Sequence, residues 1–212
     1  MPEADVGGAA RDDGGRFVVD EHDLPAGPLD LGHELRCRPP VDLDIGFGKG
    51  RSLLEWSTKG FGGTLLGVEI RRSFVEHAAA RLAKAGVCDV RIVRGDFRAL
   101  VPRLGPAGAV RRCFLHFPDP WWKKRHQKRQ VVSAPVVASI VGLLAQGGEV
   151  FVQTDVPERA EEFERILSSG GLDTARCAEG PAAPNPFGTR SNREVRCEEA
   201  GLPVYRVIGR KP

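Results

Sequence analysis

The chain has 212 residues, of which 41% are hydrophobic and 28% are charged, a composition that suits one globular domain with a sizeable core. It has no run of about 18 apolar residues, so we expect no transmembrane helix. Residues 1–43 hold ten Asp or Glu and four Arg, a net charge of −6. Because the whole chain has a net charge of +3, residues 44–212 carry a net charge of +9. A basic body of this kind is compatible with binding nucleic acid.

The five cysteines are scattered along the chain without a C-x-x-C pair. An odd, dispersed set disfavours both a disulfide framework and a zinc site. The N-terminal residues also lack the apolar segment of a signal peptide. We therefore expect a cytoplasmic protein that uses no metal and binds no membrane.

Residues 1–40 are predicted to form an irregular acidic leader, disordered over residues 1–15, where Gly, Ala and Asp predominate. From residue 41 to residue 212, strand-like and helix-like segments alternate. The predicted strands are Val41–Gly46, Thr64–Glu69, Val90–Val93, Val110–Phe117, Glu149–Thr154 and Val204–Gly209, and the predicted helices are Arg51–Lys59, Ser73–Ala85, Val131–Ala145 and Glu158–Ser169. This alternation predicts an α/β fold, Rossmann-like, with a mostly parallel sheet and helices on both faces. Ligands of such folds bind beyond the carboxyl ends of the strands.

The first predicted strand runs into a glycine-rich turn with the sequence DIGFGKG, residues 44–50. Gly46, Gly48 and Gly50 allow a tight turn and a close approach of a ligand to the main chain. Their G-x-G-x-G spacing differs from the G-x-G-x-x-G of dinucleotide sites, which disfavours a nicotinamide dehydrogenase. Asp44 is placed to face an ammonium or sulfonium group, although by itself it could be a helix cap or a solvated charge.

Two further strand ends carry acidic groups. Glu69 ends the second strand, where a carboxylate can accept hydrogen bonds from two ribose hydroxyls. After the third strand, Asp96 can accept from an adenine amino group, and Phe97 can pack on the ring. Either carboxylate alone would most often be a surface charge. Three acidic groups at three successive strand ends resemble class I S-adenosylmethionine methyltransferases.

The fourth strand is followed by FPDPWWKKRHQKRQ, residues 117–130. Two prolines stiffen the turn that carries Asp119. Residues 123–129 then hold five Lys or Arg, next to two Trp. A charge run is usually a solvated face, but basic groups for phosphates beside aromatic groups for bases are typical of nucleic-acid binding.

This segment resembles the tRNA (guanine-N7)-methyltransferase family, which carries FPDPW-x-K-x-RH-x-KRR at this place. The resemblance covers about residues 41–209 and includes DIGFGKG, GVEI, Gly95-Asp96 and the QTD of residues 153–155. Near the C-terminus the family's T-x-F-E-x-[KR]-G aligns with residues 191–197. There Ser191 stands for Thr, Arg193 for an aromatic residue and Cys197 for Gly, and the leader is acidic where the family has a basic arm.

The resemblance implies that S-adenosyl-L-methionine donates a methyl group to N7 of a guanine in tRNA, in the variable loop. It places Asp44, Glu69, Asp96 and Asp119 at the methyl donor, with Asp119 at the reacting centre. The residues that it implies for tRNA contact are Lys123, Arg125, His126, Lys128, Arg129, Asp155, Ser191 and Glu194.

Two alternatives stay open from the sequence. A small-molecule N-methyltransferase acting on a purine-like metabolite is favoured by the altered C-terminal motif and the acidic leader, and it is opposed by the basic run. A non-catalytic RNA-binding module is opposed by the three donor-site carboxylates. The sequence leaves the oligomeric state undetermined.

Overall fold

The computed structural model describes residues 17–118, 132–177 and 183–212. Its strands are β1 (Phe17–Asp20), β2 (Leu29–Asp30), β3 (Val41–Ile45), β4 (Thr64–Glu69), β5 (Val90–Arg94), β6 (Leu104–Gly105), β7 (Val110–His116), β8 (Leu144–Thr154), β9 (Asp173–Arg176) and β10 (Tyr205–Arg210). Its helices are α1 (Arg51–Lys59), α2 (Arg72–Lys84), α3 (Phe97–Leu100), α4 (Ala134–Leu143), α5 (Pro157–Ser169) and α6 (Asn192–Glu199).

Eight strands form one sheet in the order β1-β5-β4-β3-β7-β8-β10-β9, and β2 pairs with β6 in a separate two-stranded sheet. The pairs from β1 to β8 are parallel, whereas β10 runs antiparallel to both β8 and β9. The carboxyl ends of β3, β4, β5 and β7 therefore meet at one edge of the sheet. The predicted α/β fold with a mostly parallel sheet is confirmed.

Side chains that alternate along the central strands fill two hydrophobic cores, one on each face of the sheet. Leu65 belongs to the core that includes residues of α1 and α2, while its neighbour Leu66 belongs to the core that includes residues of α4 and α5. All six residues of β4 are buried, which explains why its sequence is an almost continuous apolar run. Helices cover both faces, as the strand–helix alternation predicts.

Two aspartates of β3, in the sequence VDLDI, lie in the middle of this sheet and point to the face covered by α1. The carboxylate of Asp42 accepts hydrogen bonds from the indole N–H of Trp56 at 2.8 Å and from the guanidinium of Arg111 at 2.7 Å. Burying a carboxylate is tolerated when it is paired in this way. Asp42 thus links α1 to β7. Asp44 follows two residues later in β3 and lies nearer the carboxyl edge of the sheet.

The structure differs from the predicted elements at several places, and four of its elements have no predicted counterpart, namely β6, β9, α3 and α6. The expected irregular leader contributes β1, which extends the main sheet beside β5, and β2; residues 1–15 lie outside the described residues. Helix α4 begins at Ala134, after a Ser133 cap, because Pro135 occupies its first turn. The predicted start of β8 at Glu149 is wrong, since the strand begins at Leu144. Its register against β7 shifts in the segment that contains Gly147 and Gly148.

Within the described part of the chain, no helix is both long enough and apolar enough to cross a membrane.

Candidate functional site

A pocket of about 550 Å³ opens at the carboxyl edge of the sheet. It is bounded by the ends of β3, β4, β5 and β7 and by the turns that follow them. Five of the residues predicted to bind the methyl donor line it, namely Gly46, Gly48, Glu69, Asp96 and Phe97. The structure therefore brings together groups that are up to about fifty positions apart in the sequence.

The glycine-rich turn leaves open space above its backbone. Gly46 and Gly48 have φ values of +75° and +59°, and a Cβ built on either would meet nothing within 4 Å. A ligand can therefore approach the main chain at both positions. Gly50 has another role, since a Cβ there would lie 2.5 Å from the Cβ of Ala78. Gly50 allows α2 to pack against the start of α1 and does not line the pocket.

Glu69 joins two parts of the pocket wall. Its Oε2 accepts a hydrogen bond from the Gly48 backbone N–H at 3.1 Å, and its Oε1 accepts one from the Arg71 backbone N–H at 2.9 Å. The residue is 7% exposed. Each carboxylate oxygen has a second lone pair, so Glu69 can accept two further hydrogen bonds from a ligand while its orientation stays fixed by the backbone.

Asp96 caps the N-terminus of α3 by accepting a hydrogen bond from the Arg98 backbone N–H at 3.0 Å. The Arg98 guanidinium also binds this carboxylate and holds the pKa of Asp96 below its usual value. The backbone N–H of Asp96 donates to the carboxylate of Glu21, which follows β1. The acidic leader therefore helps to fix the turn that carries Asp96, a contact that the sequence did not indicate.

Asp44 lies behind the pocket wall, 1% exposed, and it is not among the lining residues. Its Oδ2 accepts from the Ser52 hydroxyl at 2.6 Å and lies 3.8 Å from Nε2 of His116. Burial raises the pKa of Asp44. Its Oδ1 has no hydrogen-bond partner among the described residues. A buried carboxylate oxygen without a partner is costly, and a cationic ligand would offset that cost.

His116 is the last residue of β7 and lines the pocket. It begins a buried polar network that sequence reasoning missed, formed with Gln153 of β8, Arg206 of β10 and Glu194 of α6. Strand register explains the network, because His116 pairs with Gln153 and Gln153 pairs with Arg206 across neighbouring strands. No spacing along the chain would reveal such a set.

The predicted substrate residues near the C-terminus have definite structural roles. Ser191 caps α6 and Glu194 completes a capping box with it, a pattern that S-x-x-E in the sequence would have predicted. Glu194 is fully buried, and Asp155, after β8, pairs with Arg193. The remaining predicted contacts lie outside the described residues, namely Asp119, Lys123, Arg125, His126, Lys128 and Arg129.

The residues present fit S-adenosylmethionine. The pocket offers an oriented carboxylate at Glu69, an acceptor beside an aromatic ring at Asp96 and Phe97, and open backbone at two glycines. The unpartnered oxygen of Asp44 adds a buried negative charge next to these groups. By contrast, the described residues contain no group of three or more His, Cys, Asp or Glu that could hold a metal ion.

Comparison with known proteins agrees with this geometry. Residues 38–207 match a family model described as "Putative methyltransferase". A tRNA (guanine-N(7)-)-methyltransferase from Synechococcus sp. (strain JA-3-3Ab) is 40% identical over 172 residues, which are 81% of this chain and 72% of that protein. One from Myxococcus xanthus (strain DK1622) is 33% identical over 198 residues, 93% of each protein.

Among solved structures, the 16S rRNA methyltransferase KamB superposes with a TM-score of 0.62 at 17% sequence identity, covering 84% of this chain and 91% of that one. At that identity the likeness concerns the fold alone. The family model and the two relatives each extend over most of the sequence, and on that basis this chain belongs to the tRNA (guanine-N(7)-)-methyltransferase family.

Proposed function

We propose that this protein transfers a methyl group from S-adenosylmethionine to N7 of a guanine in the variable loop of tRNA. The observation that carries the proposal is the position of the donor pocket, whose wall includes His116, Phe117 and Pro118. The sequence DPWWKKRHQKR begins at the next residue. In the sequence, a segment rich in basic and aromatic groups thus follows directly after a residue that lines the pocket. The names of the relatives state the same reaction.

In this proposal Glu69 binds the two ribose hydroxyls, because both of its oxygens are oriented by backbone N–H groups and keep a free lone pair. Asp96 and Phe97 hold the adenine, and Gly46 and Gly48 let the donor lie against the main chain. Asp44 supplies negative charge for the ammonium group. Gly50 supports the site indirectly through the packing of α2 on α1.

The chemistry requires alignment more than proton transfer. When bound, S-adenosylmethionine supplies a methyl group activated by a sulfonium. Guanine N7 is an in-plane acceptor on the major-groove edge and carries no proton, so no general base is needed to create the nucleophile. We assign Asp119, three residues beyond the end of β7, to hold guanine by its N1 and N2 donors. Positioning of this kind can be worth roughly 7–11 kcal/mol.

The tRNA contacts that we propose separate into two groups. Lys123, Arg125, His126, Lys128 and Arg129 bind phosphates. Asp155 and Ser191 lie at the same edge of the sheet, after β8 and at the start of α6. The burial of Glu194 favours a supporting role in holding α6, and not contact with RNA. We place the reaction in the cytoplasm, since all five cysteines are free thiols.

The test is to incubate the protein with S-adenosylmethionine and bulk tRNA that lacks modifications, and then to map methylated nucleosides. We expect 7-methylguanosine at one position of the variable loop, and turnover that falls by about two to three powers of ten in Asp119→Asn. RNA affinity should also fall steeply with salt. Methyl transfer to free purine nucleosides, with no product in tRNA, would favour the small-molecule alternative and overturn the proposal.

A further inference from the structure

Asp96 is held in the pocket wall from two sides. Its backbone N–H donates to the Glu21 carboxylate, and its own carboxylate caps α3 by accepting from the Arg98 backbone N–H at 3.0 Å. The Arg98 guanidinium binds the same carboxylate through Nε, which lies 2.9 Å from Oδ1 and 3.1 Å from Oδ2, and through Nη2, which contacts Oδ2. Both side chains line the donor pocket. Arg98 therefore forms part of the pocket wall together with the carboxylate that it binds.

These contacts leave the Asp96 carboxylate with room for a single further N–H. An ionised carboxylate offers about four acceptor sites. Three N–H groups of Arg98 occupy three of them, namely the backbone N–H, Nη2–H, and Nε–H, which is shared between the two oxygens. Oδ1 accepts from the backbone and from the shorter branch of Nε–H, so the remaining site is on Oδ2. The Asp96 side chain is 28% exposed and lines the pocket, so a ligand there can reach it.

A purine amino group matches this remaining site. The hydrogen bonds from the Arg98 side chain lower the pKa of Asp96, so its carboxylate is ionised at neutral pH and can only accept. The 6-amino group of adenine is a donor of N–H. Phe97, the residue between Asp96 and Arg98, lines the same pocket and offers an apolar ring for the purine to pack against. The turn therefore combines an aromatic surface with one oriented acceptor.

Packing alone does not fix the Arg98 side chain. It is 35% exposed, and together with Phe97 it also lines a second cavity of about 220 Å³, which is bounded on another side by α4. The guanidinium thus has open space beside it and is restrained by its hydrogen bonds to Asp96. Such a planar, charge-assisted contact fixes the orientation of both partners. The ion pair therefore sets the direction in which the free site of Asp96 points.

We propose that Arg98 is a positioning residue for recognition of the adenine of the methyl donor. Its guanidinium orients the Asp96 carboxylate so that Oδ2 accepts one N–H of the 6-amino group, and it stays bound to Asp96 when the donor binds. The inference deepens the proposed function and rests on it, since it takes S-adenosylmethionine as the donor. It gives a purpose in ligand selection to an ion pair between residues only two positions apart.

The first test is calorimetry with two probes, S-adenosylhomocysteine and its analogue that has hydrogen in place of the 6-amino group. We expect the wild type to prefer the amino compound about 10- to 100-fold, because the analogue gives up a hydrogen bond to a charged group. In Arg98→Met, which keeps an unbranched side chain and loses the guanidinium, this preference should shrink to less than about fivefold. A merely structural role of Arg98 would weaken both probes equally and leave the preference unchanged.

Two further variants show what the preference depends on. Arg98→Lys keeps the positive charge but lacks the planar pair of N–H groups, so it should not restore the preference. The matched control is Arg71→Met, which removes another arginine from the pocket wall. The Arg71 guanidinium lies over the Phe74 ring, 5.0 Å from its centroid, so the wild-type preference should persist in this control. A preference that is unchanged in Arg98→Met, or fully restored in Arg98→Lys, would overturn the inference while leaving methyl transfer to tRNA intact.

The second test uses the unaltered protein and so does not depend on how the variants fold. Nitrogen-15 NMR of the arginine side chains should show a slowly exchanging Nε–H of Arg98 in the free protein. This signal should persist when S-adenosylhomocysteine is added, because the ion pair with Asp96 is kept. Loss of the signal on binding would mean that adenine displaces Arg98, and the inference would be wrong. Wild-type protein that binds neither probe would instead refute the proposed donor, and the inference with it.

Discussion

Replacement of Glu194 by Ala tests whether this residue supports the fold or contacts RNA. Its carboxylate pairs with Arg206 at 2.9 Å and accepts hydrogen bonds from Gln153 at 2.8 Å, Asn185 at 3.1 Å and the Ser191 backbone N–H at 3.3 Å. Removing it leaves the Arg206 guanidinium buried with two neutral partners, the amide oxygen of Gln153 and the carbonyl of Ala183. Neither partner compensates the charge.

Breaking a buried ion pair by removing one partner costs about 3–5 kcal/mol. For a domain of this size, each kcal/mol lowers the melting temperature by about 2–4 °C. We therefore expect Glu194→Ala to melt roughly 6–20 °C below the wild type. Urea unfolding followed by circular dichroism, together with calorimetry, measures both quantities.

The matched control is Glu198→Ala on the same helix. Glu198 pairs with Arg190 at 3.2 Å, and both side chains are more than a third exposed. Exposed pairs of this kind contribute about 0–1 kcal/mol, so the control should unfold almost as the wild type does. The double variant Glu194→Leu with Arg206→Met should recover much of the loss, since no unpaired charge remains. Equal stability of the two single variants, with RNA binding lost only in Glu194→Ala, would refute this reasoning and restore a direct RNA contact.

Three further outcomes are expected. Glu69→Gln should weaken S-adenosylhomocysteine binding roughly 10- to 150-fold in calorimetry, because charge-assisted hydrogen bonds are lost, and unchanged affinity in a folded variant would remove Glu69 from the site. Because burial raises the pKa of Asp44, its ionisation costs stability as the pH rises above the usual carboxyl value, so Asp44→Asn should raise the melting temperature at pH 8 more than at pH 4 while weakening ligand binding; an equal change in melting temperature at the two pH values would contradict this. Glu21→Ala removes an acceptor from the turn before α3 and should weaken ligand binding about 2- to 10-fold, whereas the exposed neighbour Asp23→Ala should have no effect.

Several features could be predicted from the sequence because they depend on local patterns. Alternation of apolar strand segments with helical segments predicts the α/β class, and the predicted bounds of α1 and β4 agree with the structure. The glycine-rich turn, Glu69 and Asp96 could be placed at one edge because parallel strands connected by helices end on the same side of their sheet. The position of the pocket at this edge follows from the alternation of strands and helices along the chain.

Other features are decided only by tertiary structure, because they depend on which strands are neighbours and in what register. The addition of β1 to the sheet, and with it the contact from Glu21 to the turn at Asp96, joins segments that are 75 positions apart. Pairing of β7 with β8, and of β8 with β10, places His116, Gln153 and Arg206 side by side on one face. A one-residue change of register would turn these side chains to the opposite face of the sheet. Strand order and register, which no local pattern encodes, therefore decide that Gln153 lies between a buried ion pair of α6 and β10 and a histidine that lines the pocket.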